Sequence, residues 1–403
     1  MSAHATNGYF SHGYGDSAEG QGGVGIAWSQ DALAAATNPA GTGFVGNRLD
    51  LGLNWFIPRR SADIVGNAFG GDTSDGGNGQ DNFFIPEFGL TKQLSPSLGL
   101  GLAVYGNGGL NTQYPSNPYA RFGATGTAGV NLEQLFITPS LAWKPTADQS
   151  LGLALNVAYQ RFSAQGIGIF GGFSSSPSNV SDQGNDDTVG VGVRLGWSAT
   201  LAPGVTAGLT WASKIHGEFS KYRGLFADGG RFDVPENYGA GIAWQPGTTW
   251  KFGADLQTIR YSQVAAVGDS FSSLLQGAAL GSAHGPGFGW RDVTVYKLAA
   301  AYPVSEQLVL RGGFSHARQP VPSGETFFNI LAPGVVQDHY TAGATWNVRD
   351  GGAWTGFYAY GRGNTVQGSN SIPPGNPPGG FGGGNANVRL KESIIGLSYA
   401  WKL

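Results

Sequence analysis

The chain has 403 residues, of which 69 are glycine and only 12% are charged. Ordinary soluble proteins carry about 7% glycine and about 25% charged residues, so the composition argues against a typical water-facing surface. The absence of cysteine excludes disulfides and thiol chemistry, and the net charge of -3 gives no indication of a nucleic-acid partner. No run of 18 apolar residues occurs, so no membrane-spanning helix is predicted.

The first 47 residues differ from everything that follows. They are rich in glycine and small residues, lack a period-2 pattern, and end with Asn38-Pro39-Ala40-Gly41 shortly before the first clear strand. The start of the chain lacks the apolar core of a signal peptide, and we expect the sequence to be that of the mature form. A compact segment ahead of a large β-structure must pack against that structure. We therefore predict that residues 1–47 form a plug inside that structure.

From Leu49 onward the chain alternates between apolar residues and small or polar ones, as a strand with one apolar face does. In the first segment Leu49, Leu51, Leu53, Trp55 and Ile57 share one face, while Asp50, Gly52, Asn54 and Phe56 share the other. Similar alternation recurs along the chain in segments that begin near residues 98, 134, 151, 189, 205, 250, 340 and 395.

Alternation alone fits either a soluble β-sandwich, whose apolar face is the core, or a membrane barrel, whose apolar face meets lipid. Three features favour the barrel. The polar face is glycine-rich, the segments are nearer the roughly 9–11 residues that span a membrane than the roughly 5–6 of soluble sheets, and Trp and Tyr lie at segment ends, where an interfacial girdle belongs.

Short and long connections also alternate. Six short turns fall near 95–96, 145–146, 203–204, 246–247, 304–305 and 350–351, and seven long loops fall at about 59–81, 108–126, 167–187, 218–231, 264–289, 318–337 and 366–386. This is the outer-membrane pattern of periplasmic turns and extracellular loops. It predicts an all-β protein: a 14-stranded antiparallel transmembrane β-barrel over residues 48–403, with the plug in its lumen.

The stretch GYGDSAEGQGGVGIAWSQDALAAATNPAG (13–41) resembles the plug signature of the FadL family, the outer-membrane channels for long-chain fatty acids and other hydrophobic compounds. The resemblance continues at LNVAYQRF (155–162), Pro235-Glu236 and LVLRGGFSHARQPVP (308–322). It covers essentially the whole chain. It implies a 14-stranded barrel, a plug, a location in the bacterial outer membrane, and passage of a hydrophobic ligand by diffusion.

The chain departs from the fatty-acid carriers in two places. Its loop at 167–187 is short where they often have a long helical one, and Gly166 stands where they place a basic residue after the fifth strand. Both departures favour less polar substrates, as in the toluene-uptake relatives, over a fatty-acid carboxylate. Monoaromatic hydrocarbons and long-chain fatty acids both stay open as substrates.

Two segments are candidates for control of passage. Asn38, Pro39 and Ala40 form either a gate in the plug or a structural turn that fixes the plug to the wall. Gly106, Asn107, Gly108 and Gly109 interrupt the alternation of the third strand, as glycines do at bulges and kinks. The resemblance implies that an inward kink here opens a window in the wall; the alternative is an ordinary loop start.

A third candidate is an apolar ligand pocket in the lumen. Its predicted members are the inward-phase aromatic residues and two basic residues near the end of the seventh strand: Phe56, Tyr105, Phe136, Phe162, Lys214 and His216. The aromatic residues could equally fill space against the plug. The inward charges of the wall could equally pair with the plug carboxylates of Asp16, Glu19 and Asp31. Arg161 lies on the lipid-facing phase and is expected to contact lipopolysaccharide.

Other functions fit the sequence less well. The glycine-rich stretch at 20–25 lacks the preceding strand and the lysine of a phosphate loop, and no metal-ligand spacing or catalytic triad stands out. We expect no enzymatic activity, no cofactor or metal, and no obligate protein partner. The alternative from another class is a general porin or structural barrel that passes water-soluble solutes, which the predicted plug opposes.

Overall fold

The computed structural model describes residues 7–349, 351–376 and 380–403. Within them, fifteen strands form one antiparallel sheet. Fourteen strands build the wall, and the other, Thr73–Gly76, is a four-residue strand in the first long loop. The wall strands are β1 (Arg48–Val65), β2 (Phe83–Ser95), β3 (Leu98–Tyr114), β4 (Ala128–Thr146), β5 (Gln149–Gln165), β6 (Asp186–Ala202), β7 (Val205–Ala212), β8 (Asn237–Trp244), β9 (Lys251–Ile259), β10 (Val293–Pro303), β11 (Leu308–Ala317), β12 (Asp338–Asn347), β13 (Ala353–Val366) and β14 (Asn385–Lys402).

Each wall strand pairs with its neighbour in sequence, and β14 closes the barrel on β1, from Arg48 opposite Lys402 to Val65 opposite Asn385. The predicted 14-stranded antiparallel barrel is therefore confirmed. Closure matters because it leaves no sheet edge for lipid to meet. The short turns lie where the sequence predicted them, except that Asp350 falls outside the described residues.

The helices of the described residues are short. The α-helices are α1 (Asp16–Glu19) and α2 (Ala34–Thr37) in the plug and α3 (Ala227–Gly230) and α4 (Ala265–Gly268) in the loops. None of these helices combines the length and the apolar character needed to cross a membrane. The 3-10 helices are Pro39–Gly43, Ala120–Phe122, Gly168–Phe173, Pro177–Asn179, Ser220–Tyr222, Tyr261–Gln263, Phe271–Gln276, Ser323–Glu325 and Phe328–Ile330.

The outer face of the wall carries the apolar rows seen in the sequence. Leu151, Leu153 and Leu155 of β5 are each more than two-fifths exposed, while the intervening Ala154 is buried. Trp55 and Phe84 stack across β1 and β2 on the same outer face. An exposed apolar band of this kind is what a barrel presents to lipid.

Residues 7–47, which we call the plug, contact the inner face of the wall, and nearly all of residues 7–42 are buried. The plug approaches the wall so closely that wall glycines are required at the contacts. A Cβ atom on Gly152 would lie 2.1 Å from the Ala40 nitrogen, and one on Gly313 would lie 2.1 Å from the Gln21 carbonyl carbon. The glycine-rich inner face therefore exists because backbone packs on backbone.

Charged wall residues bind the backbone of the plug. Asp255 accepts hydrogen bonds from the amides of Gly25 (2.8 Å) and Ile26 (3.0 Å). Lys297 donates to the carbonyl oxygens of His12 (2.9 Å) and Gly23 (3.2 Å). The alternative that the basic wall residues pair with plug carboxylates is wrong for Lys297, because its ammonium group donates to backbone carbonyl oxygens of the plug.

The plug carboxylates instead gather with one another. Oxygens of Asp16, Glu19 and the wall residue Glu87 lie within 4.8 Å of one another, the spacing of a metal-ligand set. Burial, followed by the charges of Asp31 and Asp50, raises the pKa of Asp16 to about 8, against the opposing hydrogen bond of Ser398. A protonated Asp16 removes one of the negative charges that would otherwise repel in this cluster.

The long loops close the extracellular end, and their aromatic residues belong to the same buried apolar cluster as Tyr9 of the plug. The ring of Phe327 packs against those of Tyr119 (5.5 Å), Phe381 (5.1 Å) and Phe122 (5.7 Å), counted between ring centroids. Tyr9 of the plug reaches this level and lies 5.0 Å from the Tyr261 ring. The lumen is thus filled by the plug below and by aromatic loop residues above.

Docking of the plug is expected to weaken as the pH rises. The pKa of the Asp16 carboxyl rises from 3.8 to about 8 when the plug docks. Its contribution to docking is therefore complete below the ordinary pKa and is lost as the pH rises through about 8. Asp16→Asn, which cannot ionise, should flatten the dependence. The rate of limited proteolysis of the plug between pH 6 and pH 9 measures this pH dependence. Asp148→Asn, in an exposed turn, is the control. Equal pH dependence of wild type and Asp16→Asn would contradict this assignment.

Candidate functional site

The hydrogen-bond ladder between β2 and β3 stops part of the way up the wall. Their last paired residues are Phe88 and Val104. Above this point β2 still pairs with β1 as far as Phe83, and β3 still pairs with β4 as far as Tyr114. Residues Phe83–Glu87 and Tyr105–Tyr114 therefore face each other without a ladder. We call this gap the window.

β3 leaves β2 at the glycine segment that the sequence singled out. The register against β4 shifts between Gly106 and Gly108, so that Asn107 is the extra residue of a bulge. Asn107 is 1% exposed, accepts a hydrogen bond from the Tyr14 hydroxyl (2.9 Å) and donates one to Gln134 (2.9 Å). The bulge turns β3 inward, onto the plug.

The plug supplies partners that β2 no longer offers. The amide of Gly109 donates to the Tyr9 carbonyl oxygen (2.9 Å), and the amide of Ser11 donates to the Asn107 carbonyl oxygen (3.0 Å). A Cβ atom on Gly108 would lie 1.8 Å from the Tyr9 carbonyl oxygen, so only glycine fits there. The inward course of β3 and the start of the plug thus depend on each other.

A strap, residues 77–80, frames the window on its extracellular side. The amide of Gly79 donates to the Gln113 carbonyl oxygen (2.9 Å), and the amide of Gln113 donates to the Gly77 carbonyl oxygen (3.1 Å). Across the opening, Ile85 closes against Gly106: a Cβ atom on residue 106 would lie 2.9 Å from Ile85 Cγ2. The window is framed by hydrogen bonds and closed by a side chain.

Spaces lie on both sides of the window. On the lumen side a narrow cavity of about 10 Å³ is lined by Phe56, Pro58, Arg60, Leu110, Asn111, Pro333 and Leu390. On the outer side a hollow of about 190 Å³ is lined by Gln80, Asn111, Thr112, Gln113, Gly129, Val130, Asn131, Ser163 and Gln165. Asn111 lines both spaces.

Arg60 ties the strap to β1. Its Nε and Nη2 atoms donate to the Gly77 carbonyl oxygen (3.0 and 2.7 Å), and Nη2 also donates to the Gln80 carbonyl oxygen. The residue is 3% exposed. The sequence interpretation missed Arg60 because it placed residues 59–81 in a long loop, whereas β1 continues to Val65 and puts Arg60 on the same buried face as Phe56.

The Asn38-Pro39-Ala40 turn is anchored to the wall. The Asn38 amide nitrogen donates to the carbonyl oxygens of Ile26 (2.7 Å) and Trp197 (3.0 Å), and its oxygen accepts from the Ala40 amide (3.1 Å). Ser150 of β5 donates to the Ala40 carbonyl oxygen (2.8 Å). These contacts suit a turn that locks the plug; a gating role stays a prediction.

The predicted aromatic pocket is divided between two buried clusters, one with Tyr105, Phe136 and Phe162 and the other with Phe56. Tyr105 and Phe136 pack together, with ring centroids 5.6 Å apart, and Tyr14 of the plug lies 4.7 Å from Tyr105. Phe162 packs against loop residues, with Phe226 at 4.7 Å. Phe56 belongs to a separate buried cluster with Phe83, Ile85, Phe357, Ala359 and Ile394. Only Phe56 lines the cavity at the window.

The structure does not place Lys214 and His216 in the lumen. β7 ends at Ala212, and the phase then changes, so that Ile215 is buried while the other two are exposed. Both pair with Asp233, at 3.6 Å for Lys214 and 3.0 Å for His216. The inward phase predicted for them is wrong, because the period of two was continued past the end of the strand.

A third space lies at the periplasmic end, between the plug and the wall. It has a volume of about 220 Å³ and is lined by Ser17, Gln30, Arg48, Val309, Arg311, Thr345, Asn347, Gly351, Ala353, Thr355, Ala400, Trp401 and Lys402. Arg48 is bonded within this region to Asp50 (2.7 Å) and to the Gln30 carbonyl oxygen (2.8 Å). This space is therefore lined partly by charged and polar groups.

The fold is shared with solved structures that cover nearly the whole chain. A FadL homologue of Pseudomonas aeruginosa superposes with a TM-score of 0.72 at 15% identity, over 98% of this chain and 99% of that one. The Pseudomonas putida toluene transporter TodX gives 0.70 at 18% identity, over 99% and 100%. The Ralstonia pickettii toluene transporter TbuX gives 0.67 at 17% identity, over 97% and 99%.

Comparison of the sequence with family models identifies the protein family. No curated protein sequence matches the chain. The model of the outer membrane protein transport protein family (OMPP1/FadL/TodX) matches residues 17–353. The matched segment runs from α1 in the plug to the start of β13. The chain therefore belongs to the FadL/TodX family of outer-membrane transport proteins.

Proposed function

We propose that the chain takes up small hydrophobic molecules by diffusion, and that they leave the lumen sideways through the window between β2 and β3. The extracellular loops capture the ligand, the apolar surfaces above the plug hold it, and the plug serves as the floor. The observation that carries the proposal is the end of the β2–β3 ladder at Phe88 and Val104.

The physical chemistry of the cargo favours this route. An apolar molecule gains free energy by staying out of water, and the window faces lipid while the periplasmic space faces water. The lumen side of the window offers Phe56, Pro58, Leu110 and Leu390, whereas the periplasmic space is lined by Arg48 and Arg311. Release by movement of the plug is the competing route, and it requires breaking the plug's many bonds to the wall.

The relatives support a hydrophobic cargo and leave its identity open. TodX and TbuX are named as toluene transporters, and another related structure is named as a FadL homologue. We propose monoaromatic hydrocarbons or long-chain fatty acids as the substrate class. Arg161, which lies on the outer face and pairs with Asp187 (2.8 Å), is proposed to meet lipopolysaccharide.

A crosslink across the window should stop uptake. The chain has no cysteine, so Ile85→Cys with Gly106→Cys gives one defined pair, and the contact of Ile85 with Gly106 places the two sulfurs within reach of a disulfide. Uptake of radiolabelled toluene by cells should fall to background when the pair is oxidised and return on reduction. A second pair, Leu90→Cys with Leu102→Cys, lies below the window on the intact ladder and should leave uptake unchanged.

Unchanged uptake by the oxidised window pair would reject lateral release and leave the plug route. Equal inhibition by both pairs would also reject it, because the effect would then come from stiffening the wall at large. Each single-cysteine variant controls for the substitution itself.

Loosening the plug should turn the barrel into a conducting pore. Asn38→Ala leaves the Ile26 and Trp197 carbonyl oxygens and the Ala40 amide without their partner, and each unmet buried group costs about 1–3 kcal/mol. In planar bilayers we expect brief openings of Asn38→Ala and no steady current through the wild type. Asn185→Ala, in an exposed loop, is the control. A large steady wild-type current would instead support the porin alternative.

A further inference from the structure

We infer that Asp16, Glu19 and Glu87, together with His12, form a binding site for a divalent metal cation that fixes the plug to the wall. The inference concerns the contact between the plug and the wall, and it does not depend on the route by which a transported molecule leaves the barrel. It starts from a group of carboxylates that lack a counter-ion.

Three carboxylates from two parts of the chain share one small space. Asp16 and Glu19 lie in α1 of the plug, Glu87 lies in β2 of the wall, and none of the three residues is more than 5% exposed. One oxygen of each lies within 4.8 Å of the other two. Across the described residues, no lysine or arginine forms an ion pair with any of them. Buried carboxylates without a cation repel one another and are costly to keep ionised.

The imidazole of His12 is the observation that points to a cation. The ring is fully buried, and its Nε2 atom lies 3.1 Å from the Glu19 carbonyl oxygen. Because a carbonyl oxygen only accepts, Nε2 carries the hydrogen, and the neutral ring presents a free lone pair at Nδ1. Nδ1 is buried without a hydrogen-bond partner and lies 3.9 Å from Glu19 Oε1. Two electron-pair donors therefore face each other with no hydrogen between them.

The distances suit a metal ion better than a hydrogen bond. A proton on His12 Nδ1 would have its acceptor at 3.9 Å, which is beyond hydrogen-bond range. An ion midway between Nδ1 and Glu19 Oε1 would lie about 2.0 Å from each, an ordinary metal–ligand distance. The centre of the three carboxylate oxygens is at most about 2.8 Å from each of them, so shifts of less than about 1 Å close the set on an ion. Glu19 belongs to both groups, which places the imidazole beside the carboxylates.

Other contacts hold these side chains in place. The bond of His12 Nε2 to a carbonyl oxygen is the one that metal-bound histidines usually make with their second nitrogen. Asn54 donates to Glu19 Oε2 (2.6 Å), and the Gly15 amide donates to Glu87 Oε1 (3.4 Å). Glu87 Oε2 is buried without a partner. One atom of Glu87 and one of His12 are thus left for a ligand.

The donor set indicates the class of cation. Carboxylates suit Mg²⁺, Ca²⁺ and Mn²⁺, whereas imidazole suits the transition metals. Three carboxylates with one imidazole therefore favour a divalent transition metal that accepts oxygen ligands. The expectation that the chain holds no metal rested on local spacings in the sequence, and Glu87 is far along the chain from the ligands in the plug.

A cation in this place would join the plug to a strand that borders the window. Glu87 directly precedes Phe88, the last residue of β2 that pairs with β3. The ion would therefore resist withdrawal of the plug from β2. A proton on Asp16 removes part of the same repulsion, so the pH dependence of docking described above is to be measured with a chelator present.

The test is the binding of Mn²⁺ to the full chain in detergent. Mn²⁺ is the probe because carboxylates are its preferred ligands and its unpaired electrons report a bound nitrogen. The chain is first stripped with EDTA, and free Mn²⁺ is then measured at neutral pH by its electron paramagnetic resonance signal. We expect one tightly bound Mn²⁺ per wild-type chain and an affinity that is roughly tenfold or more lower in Glu87→Gln. Glu306→Gln, which removes a carboxylate in an exposed turn, should bind as the wild type does.

A spectroscopic measurement separates a ligand from a structural residue. Pulsed electron paramagnetic resonance of the Mn²⁺-loaded wild type should show coupling to an imidazole nitrogen, and His12→Gln should lose it. Mn²⁺ should also slow limited proteolysis of the plug in the wild type and leave the rate unchanged in Glu87→Gln. Thermal unfolding in EDTA controls for folding: Glu87→Gln removes a repelling charge and should be at least as stable as the wild type.

Three results would overturn the inference. They are a wild type that binds no Mn²⁺, equal Mn²⁺ affinities of the wild type and Glu87→Gln, or bound Mn²⁺ without coupling to an imidazole nitrogen. The second result would mean adventitious binding at the surface only. None of them touches the proposed function, which is tested by uptake.

Discussion

A wall in lipid must satisfy its backbone N–H and C=O groups within the protein, because the hydrocarbon offers no partner. β3 satisfies this requirement in two ways. Up to Val104 it bonds to β2, and beyond the bulge it bonds to the plug at Tyr9 and Ser11 and to the strap at Gly77 and Gly79. The plug and the strap therefore complete the wall where the ladder stops. The opening that we propose here would release loop and plug contacts while the pairing of β14 with β1 keeps the barrel closed.

The same requirement explains the composition of the inner face. The plug is short of regular secondary structure, so its amides and carbonyls need partners from the wall. Asp255 and Lys297 of the wall bond to plug backbone groups, and Asn38 of the plug donates to the Trp197 carbonyl oxygen of the wall. Glycines such as Gly152 and Gly313 let the two backbones meet. Wall charges that resemble binding residues in the sequence are thus largely used to hold the plug. A ligand site must be sought among charges that remain incompletely bonded.

The barrel could be predicted from the sequence because its main signal is local. Lipid on one side and a packed lumen on the other impose a period of two on every strand, as at Leu151–Leu155. The plug was predictable because the first 47 residues lack that period, and the glycines at 106–109 marked the interruption of β3. Local patterns fail where a strand ends. Lys214 and His216 were placed inward because the alternation was extended past Ala212, where the chain already turns.

Arg60 shows what a sequence pattern leaves out. The sequence analysis placed Arg60 in a long loop, and only the geometry shows that β1 continues through it and that its side chain binds the strap. Three hydrogen bonds from Arg60 to the carbonyl oxygens of Gly77 and Gln80 hold the strap against β1, so the strap can move away from the window only if these bonds break.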